Sequence, residues 1–178
     1  MSNDHLPEIE RVLFTGEQIH QRIAEVAAEI SERYRGKTLK LIGVLKGSVF
    51  FLTELARRIE VPVKIDFLAI SSFSNKSGSP GVVRIAKDLD DGIEDEDVIL
   101  VEDIVDSGIT LTYLAQLMAQ RKPRSVRIAT LLDRPERRQR PVEVHYVGFQ
   151  IPDAFVVGYG LDYSEDYRNL KDVCVLEE

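Results

Sequence analysis

The sequence predicts an α/β fold: a central, mostly parallel sheet flanked by helices. Two observations carry that prediction. Apolar runs rich in β-branched residues recur along the chain, and the clearest, Val98–Val101 (VILV), has no polar alternation, which is how a strand buried on both faces reads. Helical and strand patterns also alternate in the order helix, strand, helix, strand through the first seventy residues, which implies right-handed crossovers and parallel pairing. At 178 residues there is room for one domain with a sizeable core.

Each element can be justified in order. Met1–Thr15 is polar and is expected as a loosely held arm. Thr15-Gly16-Glu17-Gln18 opens a helix to about Arg35, with Ile19, Ile23, Val26, Ala27 and Ile30 on one stripe and Gly36 as its stop. Leu39–Leu45 is the first buried strand, Lys46-Gly47-Ser48 a tight turn, and about Val49–Ile59 a second helix. Val63–Ile70 is the second strand. Ser71–Val82 (SSFSNKSGSPGV) is dominated by Ser, Gly, Asn and Pro and reads as a long loop, a common form for a functional lid. Val82–Ala86 returns as a strand, Lys87–Asp97 is an acidic connector, and Val98–Val101 is the central strand. A helix at about Leu111–Arg121 is stopped by Pro123, and Ser125–Leu132 is a further parallel strand. After the basic loop Asp133–Val142, the short segments Tyr146–Phe149, Phe155–Val157 and Val173–Leu176 read as a small lobe over the strand ends.

Composition narrows the class of function. The chain is 44% hydrophobic and 30% charged, ordinary for a soluble globular protein. Its net charge of −7 argues against non-specific nucleic-acid or anionic-membrane binding. The single cysteine, Cys174, excludes an internal disulfide and fits a reducing, cytoplasmic setting. There is no signal-peptide or membrane-helix pattern, no repeat and no zinc-ligand spacing.

The stretch Val98–Leu114 (VILVEDIVDSGITLTYL) carries the chemistry: strand, acidic turn, small residues, helix. Such a loop at the carboxyl end of a parallel strand binds ligands. Gly108 permits a tight turn with inward N–H groups, and the new helix supplies free donors and a positive dipole end, so a phosphate can sit at Asp106–Thr110 without a basic side chain. Ser107 and Thr110 add hydroxyls. Glu102 and Asp103 repel phosphate and suit sugar hydroxyls or a bridging Mg2+. The triphosphate P-loop pattern is missing, and the implied ligand carries a phosphate and a diol, as a ribose phosphate does.

The segment EDIVDSGIT, Glu102–Thr110, resembles the phosphoribosyl pyrophosphate (PRPP) motif of the type I phosphoribosyltransferases, in its purine-salvage version. The resemblance runs from Lys46 to about Cys174. It implies that family's fold over residues 1–178, with a hood lobe built from about 1–15 and 142–178. The implied reaction is a pentosyl transfer joining hypoxanthine or guanine to PRPP, with Mg2+ and release of pyrophosphate. A homodimer or homotetramer is implied as well. By resemblance, Glu102, Asp103 and Asp106 are catalytic, and Asp106, Ser107, Gly108, Ile109 and Thr110 hold the 5′-phosphate. Lys46, Gly47 and Arg168 bind pyrophosphate; the family's Lys-Gly loop often contains a non-proline cis peptide. Ser72 and Phe73 start the mobile loop, with Phe73 where the family usually has Tyr. Arg134, Phe155, Val156 and Asp162 receive the purine: Phe155 stacks, Val156 offers backbone groups, and Arg134 stands where the family has a lysine donating to the 6-oxo group. Glu102, Asp103 and Asp162 are the implied metal ligands. The alternative is a PRPP-sensing regulator of the same fold that binds nucleic acid; the acidic net charge and the intact purine lobe speak against it.

Overall fold

The computed structural model describes residues 6–73 and 82–177. Its order is β1 (Ile9–Phe14), α1 (Gly16–Arg33), β2 (Leu39–Leu45), α2 (Val49–Arg58), β3 (Val63–Phe73), β4 (Val82–Lys87), β5 (Asp97–Val105), α3 (Ile109–Ala119), β6 (Ser125–Asp133), β7 (Tyr146–Gln150), β8 (Val156–Val157) and β9 (Val173–Leu176). The main sheet runs β4-β3-β2-β5-β6-β7; every pairing is parallel except β3 with β4. A second sheet, β1-β9-β8, is antiparallel.

The strand alternation sorts the core onto two faces. Leu39, Leu41, Ile99 and Val101 pack with Ile19, Ile23, Val26 and Ile30 of α1 and Phe51, Leu52 and Leu55 of α2. Ile42, Val44, Val98, Leu100 and Ile128 pack with Leu111, Leu114 and Met118 of α3. The helix start is set by a capping box: Thr15 Oγ1 accepts from Gln18 N at 3.3 Å, and Gln18 Oε1 accepts from Thr15 N at 2.9 Å. Arg22 then ties α1 to β7, its guanidinium donating to Gly148 O (3.0 Å) and Val147 O (2.9 Å). Among the described residues no helix is long and apolar enough to cross a membrane.

Several boundaries differ from the sequence reading. Ile9–Phe14, expected in a loose arm, is β1, an exposed strand fixed by its ladder to β9 rather than by burial. Ser71, Ser72 and Phe73, expected in the loop, extend β3 because β4 returns alongside and supplies ladder partners; residues 74–81, the rest of that loop, lie outside the described residues. Tyr146–Gln150, expected in the lobe, joins the main sheet beside β6. The acidic turn begins later than expected: Glu102 and Asp103 are still on β5, which ends at Val105.

Candidate active site

The carboxyl ends of β5 and β6 meet the β8 end of the second sheet around a cleft of about 230 Å³ that Asp103, Asp106, Arg134, Phe155, Val156 and Asp162 all line. Every one of those six was singled out from the sequence. Arg137 lines the cleft too, and sequence reasoning missed it. Its signal was the position three residues beyond Arg134 in a basic loop, easily taken for a solvated cation.

At the end of β2 the chain turns through a cis peptide, which the structure places at Leu45-Lys46. Gly47 is fixed by close approach: a Cβ there would stand 1.6 Å from Asp103 Oδ2. Gly160, at φ +105°, presses on the same loop from above, since a Cβ on it would lie 2.1 Å from Gly47 O. The hood therefore packs backbone to backbone on the Lys46-Gly47 loop, and that loop packs against the Asp103 carboxylate at the end of β5.

Asp106, Ser107 and Gly108 form the turn between β5 and α3. Gly108 adopts φ +77° as the helix N-cap, a left-handed conformation for which glycine is suited. Ser107 Oγ accepts from Ile109 N at 3.3 Å, and Ser107 O is held by Gln139 N (2.9 Å) and Arg140 N (3.0 Å). The first-turn N–H groups of a helix have no intrahelical acceptor, and here the side chain of Ser107 takes up that of Ile109.

The acids differ in environment. Burial, then the adjoining Asp103 carboxylate, push Glu102 well above the ordinary carboxyl range. Burial likewise raises Asp103, against the opposing pull of Ile104 N (2.7 Å) and of Arg168, while Asp162 adds to the rise. Burial raises both carboxyls, Asp103 adding to the rise of Glu102 and Asp162 to that of Asp103, so a cation placed among them would relieve the repulsion. Among the described residues no three of His, Cys, Asp and Glu gather closely enough to cage a metal on their own. Asp103 and Asp162 share the cleft, whereas Glu102 is buried and outside its lining. That donor set fits Mg2+, which takes one or two carboxylates and completes its shell with substrate phosphates and water.

On the hood side, Arg168 is locked by Gly160 O (2.7 Å), Asp162 Oδ1 (2.7 Å) and Glu165 Oε1 (3.0 Å). Lys46 and Arg168 flank the cleft without lining it. Phe155 is 47% exposed, edge-on to Tyr163 at 5.8 Å, and Val156 is buried. A large aromatic left half bare beside a charged cleft offers a stacking surface. Arg134 is only 4% exposed, a buried cation whose Nε has no partner, and its NH1 lies 3.9 Å from Asp106 Oδ2. Asp106 Oδ1 is likewise buried without a partner. The side chains of Ser72 and Phe73 are outside what the structure describes.

Acidic residues at a strand end, a glycine-capped helix start beside them and a half-bare aromatic ring above are the parts that a transferase acting on a sugar phosphate and a flat base requires. Comparison with known proteins agrees. Residues 13–164 match the phosphoribosyl transferase domain family. The chain is 51% identical to the hypoxanthine-guanine phosphoribosyltransferase of Mycobacterium avium over 96% of its length and 87% of that protein's, and 45% identical to that of Bacillus subtilis over 96% and 94%. A crystal structure of a hypoxanthine phosphoribosyltransferase from Staphylococcus aureus superposes with a TM-score of 0.91 at 45% identity, covering 95% of this chain and 92% of that one. This chain belongs to the phosphoribosyltransferase family, as an α/β enzyme of its type I fold.

Proposed function

We propose that this enzyme is a purine-salvage transferase that joins hypoxanthine, and guanine, to PRPP, giving the nucleoside monophosphate and pyrophosphate. The observation that carries the base preference is the pairing of a donor and an acceptor at the cleft. Arg134 and Asp106 stand 3.9 Å apart beside the half-bare ring of Phe155. A 6-oxopurine presents a carbonyl next to a ring N–H on one edge and complements that pair. Adenine would set its 6-amino donor against Arg134 and leave a buried donor unmatched. Asp162 and the Val156 backbone complete the base site.

In the transfer, the bond from C1′ to the pyrophosphate oxygen breaks and the leaving group keeps the electron pair. Positive charge builds on the ribose, and purine N9 forms the new bond with its lone pair. Asp106 takes or shares the purine ring proton. Asp103 holds the ribose hydroxyls near the developing cation, with Glu102 buried beside it on β5, and the backbone of Asp106–Thr110 cradles the 5′-phosphate. Lys46, Gly47 and Arg168 hold the leaving pyrophosphate, Arg168 as a fixed charge. Mg2+, held by Asp103 and Asp162, supplies charge neutralisation of the pyrophosphate when bound. A single unit over residues 1–178, working in the cytoplasm as a homo-oligomer, completes the reading.

The test is product formation from PRPP and Mg2+ with hypoxanthine, guanine, xanthine, adenine and uracil offered separately. Turnover of hypoxanthine or guanine, with adenine and uracil refused, is the expected result. Silence with all five, together with measurable PRPP binding, would overturn it in favour of a PRPP sensor. Ultracentrifugation at working concentration tests the assembly; a monomer would defeat that part.

A further inference from the structure

Two residues outside the assigned set complete the surroundings of Arg134. Arg134 follows β6, its N–H bound to Val105 O at 2.9 Å, and a single 3-10 turn (Pro135–Arg137) comes next, with Arg137 N on Arg134 O at 3.3 Å. The turn brings the side chains of Arg134 and Arg137 to the same two carboxylates, Asp106 and Asp153. Two guanidinium groups side by side would repel, and carboxylates separate them. Asp153 Oδ1 lies 2.5 Å from Arg137 Nε and 3.6 Å from Arg134 NH1. Asp106 Oδ2 lies 3.9 Å from the NH1 of each arginine. The four form a closed ring of alternating charge at the base end of the cleft.

We propose that Arg137 is a positioning residue for base binding, acting through Asp153. The contacts in the ring are unequal. Asp153 is taken tightly by Arg137 and only loosely by Arg134, so the guanidinium of Arg134 keeps donors free for a carbonyl. A buried arginine next to an uncommitted carboxylate forms a bidentate pair with it. Without Arg137, Asp153 turns onto Arg134 and withdraws it from the base. Arg137 is half exposed, so its replacement strands no buried charge.

This inference rests on the base-site reading, and its test separates the two. If wild-type enzyme turns over no 6-oxopurine, that reading fails; if it does and Arg137 proves indifferent, only this inference fails. Steady-state kinetics on Arg137→Gln, Arg137→Lys, and Arg137→Gln combined with Asp153→Asn decide it. In Arg137→Gln the KM for hypoxanthine should rise about tenfold, the coupling of a close charged pair, with the KM for PRPP unchanged. Arg137→Lys should recover part of that loss. The decisive result is suppression: adding Asp153→Asn should bring the hypoxanthine KM back toward wild type, because the competing carboxylate is gone. A hypoxanthine KM within twofold of wild type in Arg137→Gln, or a double variant no better than the single one, would overturn the proposal.

Discussion

Lys46 Nζ lies 2.6 Å from Glu165 Oε2, and the other oxygen of the same carboxylate lies 3.0 Å from Arg168 NH2. Glu165 therefore bridges the two cations assigned to the leaving pyrophosphate and occupies them as an anion of the chain's own. The lysine, then the arginine, hold its carboxyl below the ordinary range, so the bridge persists through neutral pH. Pyrophosphate groups must displace it. Glu165→Gln is expected to lower the KM for PRPP and the inhibition constant of pyrophosphate together, by about two- to fivefold, since an exposed ion pair is weak. A KM for PRPP equal to wild type, measured at fixed hypoxanthine, would show that the bridge does not compete.

Gly47→Ala places a methyl where Asp103 Oδ2 stands, at 1.6 Å. To clear it the carboxylate must turn about its own side-chain bonds, giving up the Ile104 N–H that holds its other oxygen at 2.7 Å. Misplacing a reacting group by an ångström costs about a hundredfold in rate, and that loss in kcat is expected here. Circular dichroism and thermal melting should show a folded chain. Activity within a few-fold of wild type would mean that the loop moves away from Asp103 freely.

How much of this was legible in the sequence depends on whether the signal was contiguous. VILVEDIVDSGIT carries strand, acids and turn in one run, so Asp103, Asp106 and the helix start could be read together. Phe155 was harder, because an aromatic beside Val156 and Val157 reads as core until its exposure is known. The strand Ile9–Phe14 was not legible at all: its residues are mostly exposed, and what fixes it is pairing such as Phe14 with Val173 at the far end of the chain. The link between Arg137 and Asp153 was hidden for a similar reason. Both lie in polar loops, and only the meeting of β6 with β7 brings those loops side by side. The extension of β3 through Phe73 was masked by serines, which have low strand propensity but are held by the returning β4.

Asp106 has one oxygen near both Arg134 and Arg137 and the other buried without a partner. An unmatched buried acceptor in a cleft is a group waiting for a donor, here the purine ring N–H. Asp106→Asn keeps the shape and removes the proton acceptor. Turnover should fall by roughly 10²–10⁴, the usual contribution of general acid–base catalysis, while PRPP binding stays close to wild type. Kinetics at saturating PRPP, with PRPP affinity measured by calorimetry, separate the two. Wild-type turnover would remove Asp106 from the chemistry.

Far from the cleft, Asp97 sets the acid stability of the sheet. It opens β5 at 2% exposure, where burial alone would raise its carboxyl. Ser125 Oγ at 2.6 Å and Arg124 NH1 at 2.9 Å overcome that penalty, aided by Lys37, and hold it below the ordinary range. A carboxyl depressed in the folded state stabilises the protein above its unfolded value and gives that stability up as pH falls through the folded one. Asp97→Asn keeps the size but weakens a charge-assisted pair, which costs about 2 kcal/mol at neutral pH. Thermal melts of the two proteins should therefore differ most at neutral pH. The gap should narrow as pH drops below the ordinary aspartate value of about 4, where wild type binds the proton as well. A gap of constant size across that window would assign the loss to packing at the start of β5, with the charge on Asp97 contributing nothing.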